Sequence, residues 1–239
     1  MFADPLYLFV MIIGLVLSFA PQMILQGIYK RYAEVPTQRG MTGAEVARKI
    51  LADNGLHDVV VEVTPGVLSD HYDPGARAVR LSQDHYYGGS VAGVAVAAHE
   101  VGHALQHAKG YYPVVLRSAM APIVSIAGNM GPILLMVSLG LGFTSQVIPD
   151  WAYPVALAGV VMFASAVLFH MVTLPVEFNA SARANTILSD SSYLTPDEMP
   201  GAKQVLMAAA FTYVAAALHS LIQLIYYIIR LSNLRDSRD

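Results

Sequence analysis

The chain has 239 residues, of which 55% are hydrophobic and only 13% are charged, whereas a typical soluble domain carries about 25% charged residues, so the composition excludes an ordinary soluble protein. There is no cysteine, which excludes disulfide bonds and thiolate ligands and leaves His, Asp and Glu as the side chains that can hold a metal. The net charge of −3, without a basic stripe and interleaved aromatic residues, argues against nucleic-acid binding.

Most of the hydrophobic residues lie in four long blocks without charged residues, each long enough for the roughly 20 residues that cross the hydrocarbon core of a bilayer. The blocks are Leu6–Ile28, Ser118–Pro149, Trp151–Val176 and Gln204–Ile229. The first three predict membrane-spanning helices. The fourth begins with the mildly apolar segment 207–213, which could instead pack against a catalytic site, so that its span would lie nearer Ala215–Ile229.

The charges around the first block predict the orientation in the membrane. This block is not expected to be a secretory signal. The residues before it include Asp4 but no Lys or Arg, and no small-residue cleavage site follows it. Lys30 and Arg31 follow it, and residues 29–113 are rich in Lys and Arg, whereas residues 145–150 contain neither. The positive-inside rule therefore predicts an amino terminus outside the cell and a cytoplasmic segment 29–113.

The carboxyl-terminal tail does not fit this orientation. Four crossings would leave Arg230, Arg235 and Arg238 outside the cell, against the positive-inside rule. Two explanations remain open: either the fourth block does not cross fully, or the first helix outweighs the tail in setting the topology.

Segment 29–113 predicts a small α+β unit. Thr42 and Glu45 are spaced as in a capping box and Gly55 is typical of the residue after a helix, so residues 43–54 should be helical. Three β-rich runs separated by Pro-Gly turns then predict a small antiparallel sheet. The runs are Val59–Val63, Val67–Tyr72 and Ala78–Ser82. A helix from about Ser90 to Ala108 follows.

This last helix contains the pattern His-Glu-x-x-His at His99, Glu100 and His103. Residues four apart lie on one face of an α-helix, about 6 Å apart along its axis, so both imidazoles can reach one Zn²⁺ ion. Glu100 would lie beside the open coordination position, where a carboxylate can take a proton from a zinc-activated water. The pattern is typical of zinc metallopeptidases.

A catalytic zinc usually has three protein ligands, so a third must come from elsewhere in the chain. His107 lies about 12 Å along the helix axis from His99, too far to share the metal, and we expect a supporting or surface role for it. Glu177 is the better candidate, because Pro175 is expected to open a helix after the third block and to place Glu177 in its first turn. Glu177 could alternatively stabilise the amino terminus of the helix through its negative charge, or form an ion pair with Arg183.

Five segments of the sequence carry a family resemblance. They are 42–47, 70–74, 96–106, 173–181 and 208–215. Taken together, they resemble the YugP-type neutral zinc metallopeptidases of bacterial membranes. More distantly, the His-Glu-x-x-His helix followed by a helix that opens with Glu-Phe-x-Ala is similar to the HtpX-type membrane proteases and the CAAX prenyl endopeptidases.

The resemblance implies that His99, His103 and Glu177 bind zinc and that Glu100 is the general base. It also implies a multi-pass protein of the bacterial inner membrane and a peptide or protein substrate, membrane proteins included. The relatives usually carry Asp where this chain has Ser181, so no orienting role is transferred to that position.

Further polar residues could stabilise the transition state or support the ligands. His71 could orient a ligand or stabilise an oxyanion, or it could be an ordinary strand residue before the turn at Asp73. Tyr213 and His219 are candidate donors to an oxyanion, although His219 could equally be a buried polar residue with a local partner. Arg183 could hold a carboxylate behind one of the ligands.

The expected fold is mainly α, with three or four integral membrane helices and an inserted small α+β, zincin-like catalytic segment. The predicted order is a first transmembrane helix (1–28), a cytoplasmic α+β segment with the His-Glu-x-x-His helix (29–113), a transmembrane helical hairpin (114–174), a helix with the third zinc ligand and a connecting loop (175–203), a fourth hydrophobic helix (204–230) and a polar tail (231–239).

The sequence thus predicts a membrane-embedded zinc endopeptidase with its active site at the cytoplasmic face. The alternative is a non-catalytic membrane partner protein with a structural metal site. Glu100 separates the two, because a structural site fills all four positions with protein ligands and needs no base. A transporter is less well supported, because the chain shows no paired broken helices with internal symmetry.

Overall fold

The computed structural model describes residues 4–144 and 149–236, so Arg238 and most of the 145–150 connection lie outside it. The helices in chain order are α1 (Pro5–Ala33), α2 (Gly43–Asp53), α3 (Gln83–Tyr87), α4 (Val91–Ala108), α5 (Tyr112–Thr144), α6 (Ala152–Asp190) and α7 (Met199–Asp236). The strands, which lie between α2 and α3, are β1 (Val60–Thr64), β2 (His71–Asp73) and β3 (Ala78–Ser82).

The fold class predicted from the sequence is confirmed. Four helices in the described part of the chain, α1, α5, α6 and α7, are long and apolar enough to cross a membrane. They contain most of each of the four hydrophobic blocks. The remaining elements in residues 4–144 and 149–236 are three shorter helices and one small sheet, so the protein is mainly α with membrane helices and a small α+β segment.

The chain divides into two compact units. The first, here called the helix unit, consists of Met1–Ala20, Leu116–Thr173 and Tyr213–Asp239. The second, here called the mixed unit, consists of Pro21–Val115 and Leu174–Thr212. The fourth hydrophobic block is divided between the two units within its mildly apolar segment 207–213. Residues up to Thr212 belong to the mixed unit, and residues from Tyr213 onward belong to the helix unit.

The helix unit contains a close helix approach at glycine residues and an ion pair between its first and last helices. A Cβ atom on Gly131 of α5 would lie 3.2 Å from the backbone oxygen of Gly159 on α6, so the two helices approach closely there. The ion pair joins α7 to the start of α1, where Arg230 Nη1 lies 3.1 Å from Asp4 Oδ2. The start of α1 and the last turns of α7 therefore lie at the same end of this unit.

His219 has a local partner inside the helix unit. Its Nδ1 lies 3.3 Å from the Ser18 hydroxyl on α1, and a Cβ atom on Gly14 would lie only 2.6 Å from its Nε2. The ring therefore lies over a small-residue face of α1, one turn wide, which is how polar groups are commonly accommodated between membrane helices.

In the mixed unit, α2 forms as predicted and packs on α4. The Thr42 hydroxyl accepts from the Glu45 N–H, and the Glu45 carboxylate accepts from the Thr42 N–H, which completes the capping box. Gly55 follows the helix with a φ of +73°, a conformation that favours glycine. The buried side chains of Val46 and Ile50 on α2 belong to the same apolar core as Val94 of α4.

The sheet is mixed, so the expected all-antiparallel sheet is wrong. The strand order is β1-β3-β2, with β1 parallel to β3 and β2 antiparallel to it. Most of the predicted run Val67–Tyr72 is not a strand but a connection, in which Leu68 has a φ of 52°. This connection leads from β1 to β2, which lies on the opposite side of β3. Because β3 has the most buried side chains, it takes the centre, and turn signals alone could not reveal this pairing.

Pro175 does not open a helix, contrary to expectation. It lies inside α6, which is continuous from Ala152 to Asp190. Proline is disfavoured inside soluble helices, but membrane helices tolerate it where neighbouring groups support the backbone. Glu177 therefore projects from the interior of a long helix rather than from its first turn.

The contact between α4 and α6 depends on a glycine. A Cβ atom on Gly102 would lie 2.8 Å from the backbone oxygen of Ala180 and 3.2 Å from its Cα. A backbone atom cannot swing aside as a flexible side chain can. Only glycine at position 102 therefore allows the two helices to approach this closely.

We predict that Gly102→Ala lowers the thermal unfolding temperature of the purified protein. Overpacking a close contact costs about 1–3 kcal/mol, which exceeds the gain of up to about 1 kcal/mol from replacing a helical glycine by alanine. Gly128→Ala is the matched control, because Gly128 is also helical and has nothing within 4 Å of the added Cβ. Equal unfolding temperatures for the two variants would contradict the close contact.

Candidate metal centre

The two histidines of the His-Glu-x-x-His pattern lie side by side on α4. Their ring centroids are 4.7 Å apart and the ring planes are nearly perpendicular, at 88°. Both side chains are largely buried, with 14% of His99 and 15% of His103 exposed. The helical pitch alone accounts for this arrangement, because positions 99 and 103 are about one turn apart.

Glu177 of α6 faces both rings from the other side. Its Oε2 atom lies 3.4 Å from His99 Nε2 and 3.6 Å from His103 Nε2, and only 2% of the side chain is exposed. Hydrogen bonds from nitrogen to oxygen are usually about 2.7–3.2 Å long. Two ligand atoms about 2.0–2.2 Å from one tetrahedral zinc lie roughly 3.3–3.6 Å apart. These two separations therefore fit atoms that share a metal better than atoms that share a proton.

The donor set also fits zinc. His99, His103 and Glu177 each offer one ligand atom, and the three atoms lie within 4.8 Å of one another. In residues 4–144 and 149–236 no other three such side chains come as close. Two imidazole nitrogens and one carboxylate oxygen are common zinc ligands and leave a fourth position for water or substrate.

The charges in the cluster favour a cation. Burial lowers the pKa of His103, but its contact with Glu177, the charge of Glu100 and its contact with Gln106 outweigh burial, so that the pKa is raised overall. The same negative field that favours a proton on His103 favours a divalent metal ion in its place.

Both imidazoles are oriented from behind by neutral side chains. His103 Nδ1 lies 3.0 Å from Gln106 Oε1, and His99 Nδ1 lies 3.1 Å from the Ser181 hydroxyl. Ser181 therefore does contact a histidine, although the sequence supplied no reason to transfer an orienting role to it. With Nδ1 engaged in each ring, the Nε2 atoms are the ones that face Glu177.

Glu100 lies next to His99 on α4, and only 8% of the residue is exposed. Its charge is close enough to raise the pKa of His103. Glu100 therefore lies near the cluster of His99, His103 and Glu177 but is not one of its three candidate ligands.

The other sequence-predicted residues lie elsewhere or have other partners. His107 Nδ1 lies 3.1 Å from the Tyr72 hydroxyl and is outside the cluster. His71 is exposed on β2, where its ring contacts the Ser69 carbonyl.

Arg183 contacts the Asn179 side-chain oxygen at 2.7 Å, rather than the carboxylate that we expected. Tyr213 is 36% exposed and belongs to the helix unit.

Sequence reasoning missed a second polar network in the mixed unit. His85 Nδ1 lies 2.9 Å from Asp70 Oδ2, and His85 Nε2 lies 2.8 Å from the Tyr29 hydroxyl. Burial raises the pKa of Asp70, but hydrogen bonds from His85 and Ser82 outweigh it and lower the pKa overall. Asp70 belongs to one of the segments that carry the resemblance, but nothing in the sequence pointed to its partner. Gln106 could have been found, because it is one helical turn after His103.

Comparison with known proteins identifies a zinc metallopeptidase family. A family model described as "Putative neutral zinc metallopeptidase" matches residues 7–232, which include all three cluster residues. A curated protein of Bacillus subtilis (strain 168), named "Putative membrane protease YugP", is 44% identical over 231 residues, which are 97% of this chain and 99% of that protein. No solved structure matches.

We predict that Glu177→Ala sharply lowers zinc occupancy, because it removes the carboxylate that faces both Nε2 atoms. His107→Ala should retain most of the zinc, because its ring contacts Tyr72 outside the cluster. Metal analysis of both purified variants provides the measurement. Full occupancy in Glu177→Ala, or a loss confined to His107→Ala, would refute this ligand set.

Proposed function

The chain belongs to the neutral zinc metallopeptidase family that it matches over residues 7–232, and we propose that it is a membrane-embedded endopeptidase in which His99, His103 and Glu177 bind zinc and Glu100 is the general base. The observation that carries the proposal is the position of Glu177. A buried carboxylate oxygen lies between two imidazole nitrogens, at distances suited to a shared metal.

Zinc in this site would supply Lewis-acid activation of water and of the scissile carbonyl. The chain's own residues set how strongly it does so. With two neutral imidazoles and one carboxylate as ligands, a bound zinc ion would keep a net charge of about +1, which would still favour loss of a proton from water near neutral pH. The neutral partners behind the rings, Ser181 and Gln106, add no further negative charge.

Glu100 moves the proton in the proposed reaction. Its carboxylate takes a proton from the attacking water as the water oxygen bonds to the carbonyl carbon. The same carboxyl group then gives that proton to the nitrogen of the leaving amine as the C–N bond breaks. The low exposure of Glu100 and its place beside His99 support this role, because both keep the carboxylate close to the cluster.

A strand edge beside α4 provides a place for an extended substrate. In the order β1-β3-β2, β2 is an outer strand and it packs against α4. We propose that a peptide or protein substrate, membrane proteins included, pairs with β2 by main-chain hydrogen bonds. His71 on β2 is the candidate for contacting it, whereas Arg183 supports the cluster indirectly through Asn179. Tyr213 remains a candidate oxyanion donor on chemical grounds alone.

A non-catalytic partner protein with a structural metal site is the second candidate. A structural zinc site normally has four protein ligands. The described residues bring three ligand side chains to this cluster, and the charge of a second carboxylate, Glu100, acts on His103. Three protein ligands with a further carboxylate nearby support the enzyme over the structural site.

We propose that the site faces the cytoplasm of a bacterial cell, with the amino terminus outside. The ion pair between Asp4 and Arg230 supports four crossings, because it joins the first and last helices at one end of the helix unit. The pair also offsets the charge of Arg230, which removes part of the conflict with the positive-inside rule.

We predict that Glu100→Gln retains zinc but loses peptide hydrolysis by about 10²–10⁴-fold or more, because the metal ligands remain while the base is lost. The assay compares metal content and proteolysis of the purified variants. Glu34→Gln is the control, because Glu34 is an exposed carboxylate whose removal should leave both properties unchanged. Undiminished proteolysis by Glu100→Gln would exclude this mechanism.

We predict that Gln38→Cys and Asp150→Cys are labelled from opposite sides of an intact membrane, with Asp150→Cys labelled from outside. Both positions are exposed, and the native chain without cysteine is the background control. A membrane-impermeant thiol reagent applied to whole cells makes the comparison. Labelling of Gln38→Cys from outside would reverse the proposed orientation.

A further inference from the structure

We propose that Gln106 is a positioning residue that dictates which nitrogen of His103 carries the proton, at the end of a hydrogen-bonded chain that starts at Arg183. The inference rests on the proposed function in so far as it concerns zinc, but the proton assignment itself follows from the contacts of the metal-free protein. Gln106 is completely buried between α4 and α6.

The first constraint on the Gln106 amide is a backbone carbonyl. Its Nε2 atom lies 2.7 Å from the carbonyl oxygen of Val176. A carbonyl oxygen can only accept a hydrogen bond, so the amide atom that faces it must be the NH₂ group. The Oε1 atom must then lie on the other side of the amide.

The second constraint is independent of the first and comes from Arg183. Its Nε donates to Asn179 Oδ1 at 2.7 Å, and a guanidinium group can only donate. The atom of Asn179 that faces it is therefore the oxygen. The same oxygen accepts from Gln106 Nε2 at 3.1 Å, so the Asn179 contact assigns the Gln106 amide in the same orientation as Val176 does.

The consequence falls on His103. Because Gln106 Oε1 is an acceptor 3.0 Å from His103 Nδ1, this contact requires a proton on Nδ1, and a neutral imidazole that keeps the contact carries its proton there. The lone pair then lies on Nε2, which is the nitrogen that faces Glu177 at 3.6 Å. Only this tautomer presents a lone pair to a metal held between the two side chains.

His99 lacks an equivalent constraint. Its Nδ1 contacts the Ser181 hydroxyl, which can either donate or accept. The protein therefore fixes the tautomer of His103, whereas the Ser181 contact is compatible with either tautomer of His99. This asymmetry predicts that removing Gln106 harms the site more than removing the Ser181 hydroxyl.

Gln106 also ties the two helices that carry the ligands, because Val176 precedes Glu177 on α6. Two variants distinguish the loss of this contact between the helices from the loss of the hydrogen bond that sets the His103 tautomer. Gln106→Met has a similar volume but loses every hydrogen bond of the amide. Gln106→Glu still offers His103 an acceptor oxygen, while its other oxygen can bond Val176 only when the carboxyl group is protonated.

The first test uses metal-free protein labelled with ¹⁵N-histidine in alkaline buffer and reads the tautomer of the neutral His103 imidazole by NMR. A His103→Asn sample identifies its signals. We expect the proton on Nδ1 in the native protein and in Gln106→Glu, and a mixture of tautomers in Gln106→Met. A proton on Nε2 in the native protein, or no change in Gln106→Met, overturns the proposal.

The second test measures zinc affinity by competition with a chromophoric chelator, alongside thermal unfolding of the metal-free variants. We expect Gln106→Met to bind zinc about 10–100-fold more weakly, the usual effect of losing a residue behind a ligand, and Ser181→Ala and Gln106→Glu to lose less. Equal losses in Gln106→Met and Gln106→Glu would mean that only the helix tie matters. If the native protein bound no zinc while His103 showed the expected tautomer, the proposed function would fail and the inference would stand.

Discussion

The structure of the site depends on one constraint, which is that the buried carboxylate of Glu177 must be balanced by positive charge. Its side chain is 2% exposed, and a buried anion without a counter-charge is strongly destabilising. The two imidazole nitrogens that face it cannot supply that charge while they are neutral. A metal ion bound by all three groups would satisfy the carboxylate and both lone pairs at once. The close approach at Gly102 and the Gln106 contacts serve this arrangement, because both hold α6 against α4 near Glu177.

The sequence predicted those parts of the protein that depend on local chemistry. His99, Glu100 and His103 follow from helical pitch, and the capping box at Thr42 follows from a four-residue pattern. The hydrophobic blocks predicted the membrane helices, because length and lack of charge suffice for that purpose. Glu177 was selected for its place after a hydrophobic block, and its contact with both rings then appears in the structure.

What the sequence could not predict depends on contacts between distant segments. The pairing of β1 with β3 is set by which strand is buried at the centre, and turn residues carry no information about that choice. Pro175 has a strong local preference for a helix start, yet it lies inside α6, because packing along a long helix outweighs the local signal. Gln106 and its partner Val176 are 70 residues apart, so their contact becomes visible only in the folded chain.

X-ray absorption at the zinc edge of the purified, zinc-loaded protein tests the central claim most directly, because it reports the ligands of the metal rather than the consequences of mutation. We expect two imidazole nitrogens and two oxygens, one from the Glu177 carboxylate and one from solvent, all at about 2.0–2.2 Å. In Glu177→Ala the remaining zinc should lose the carboxylate contribution. A spectrum that requires three imidazoles, or that is unchanged in Glu177→Ala, would contradict the account of Glu177 as the carboxylate that shares a metal with His99 and His103.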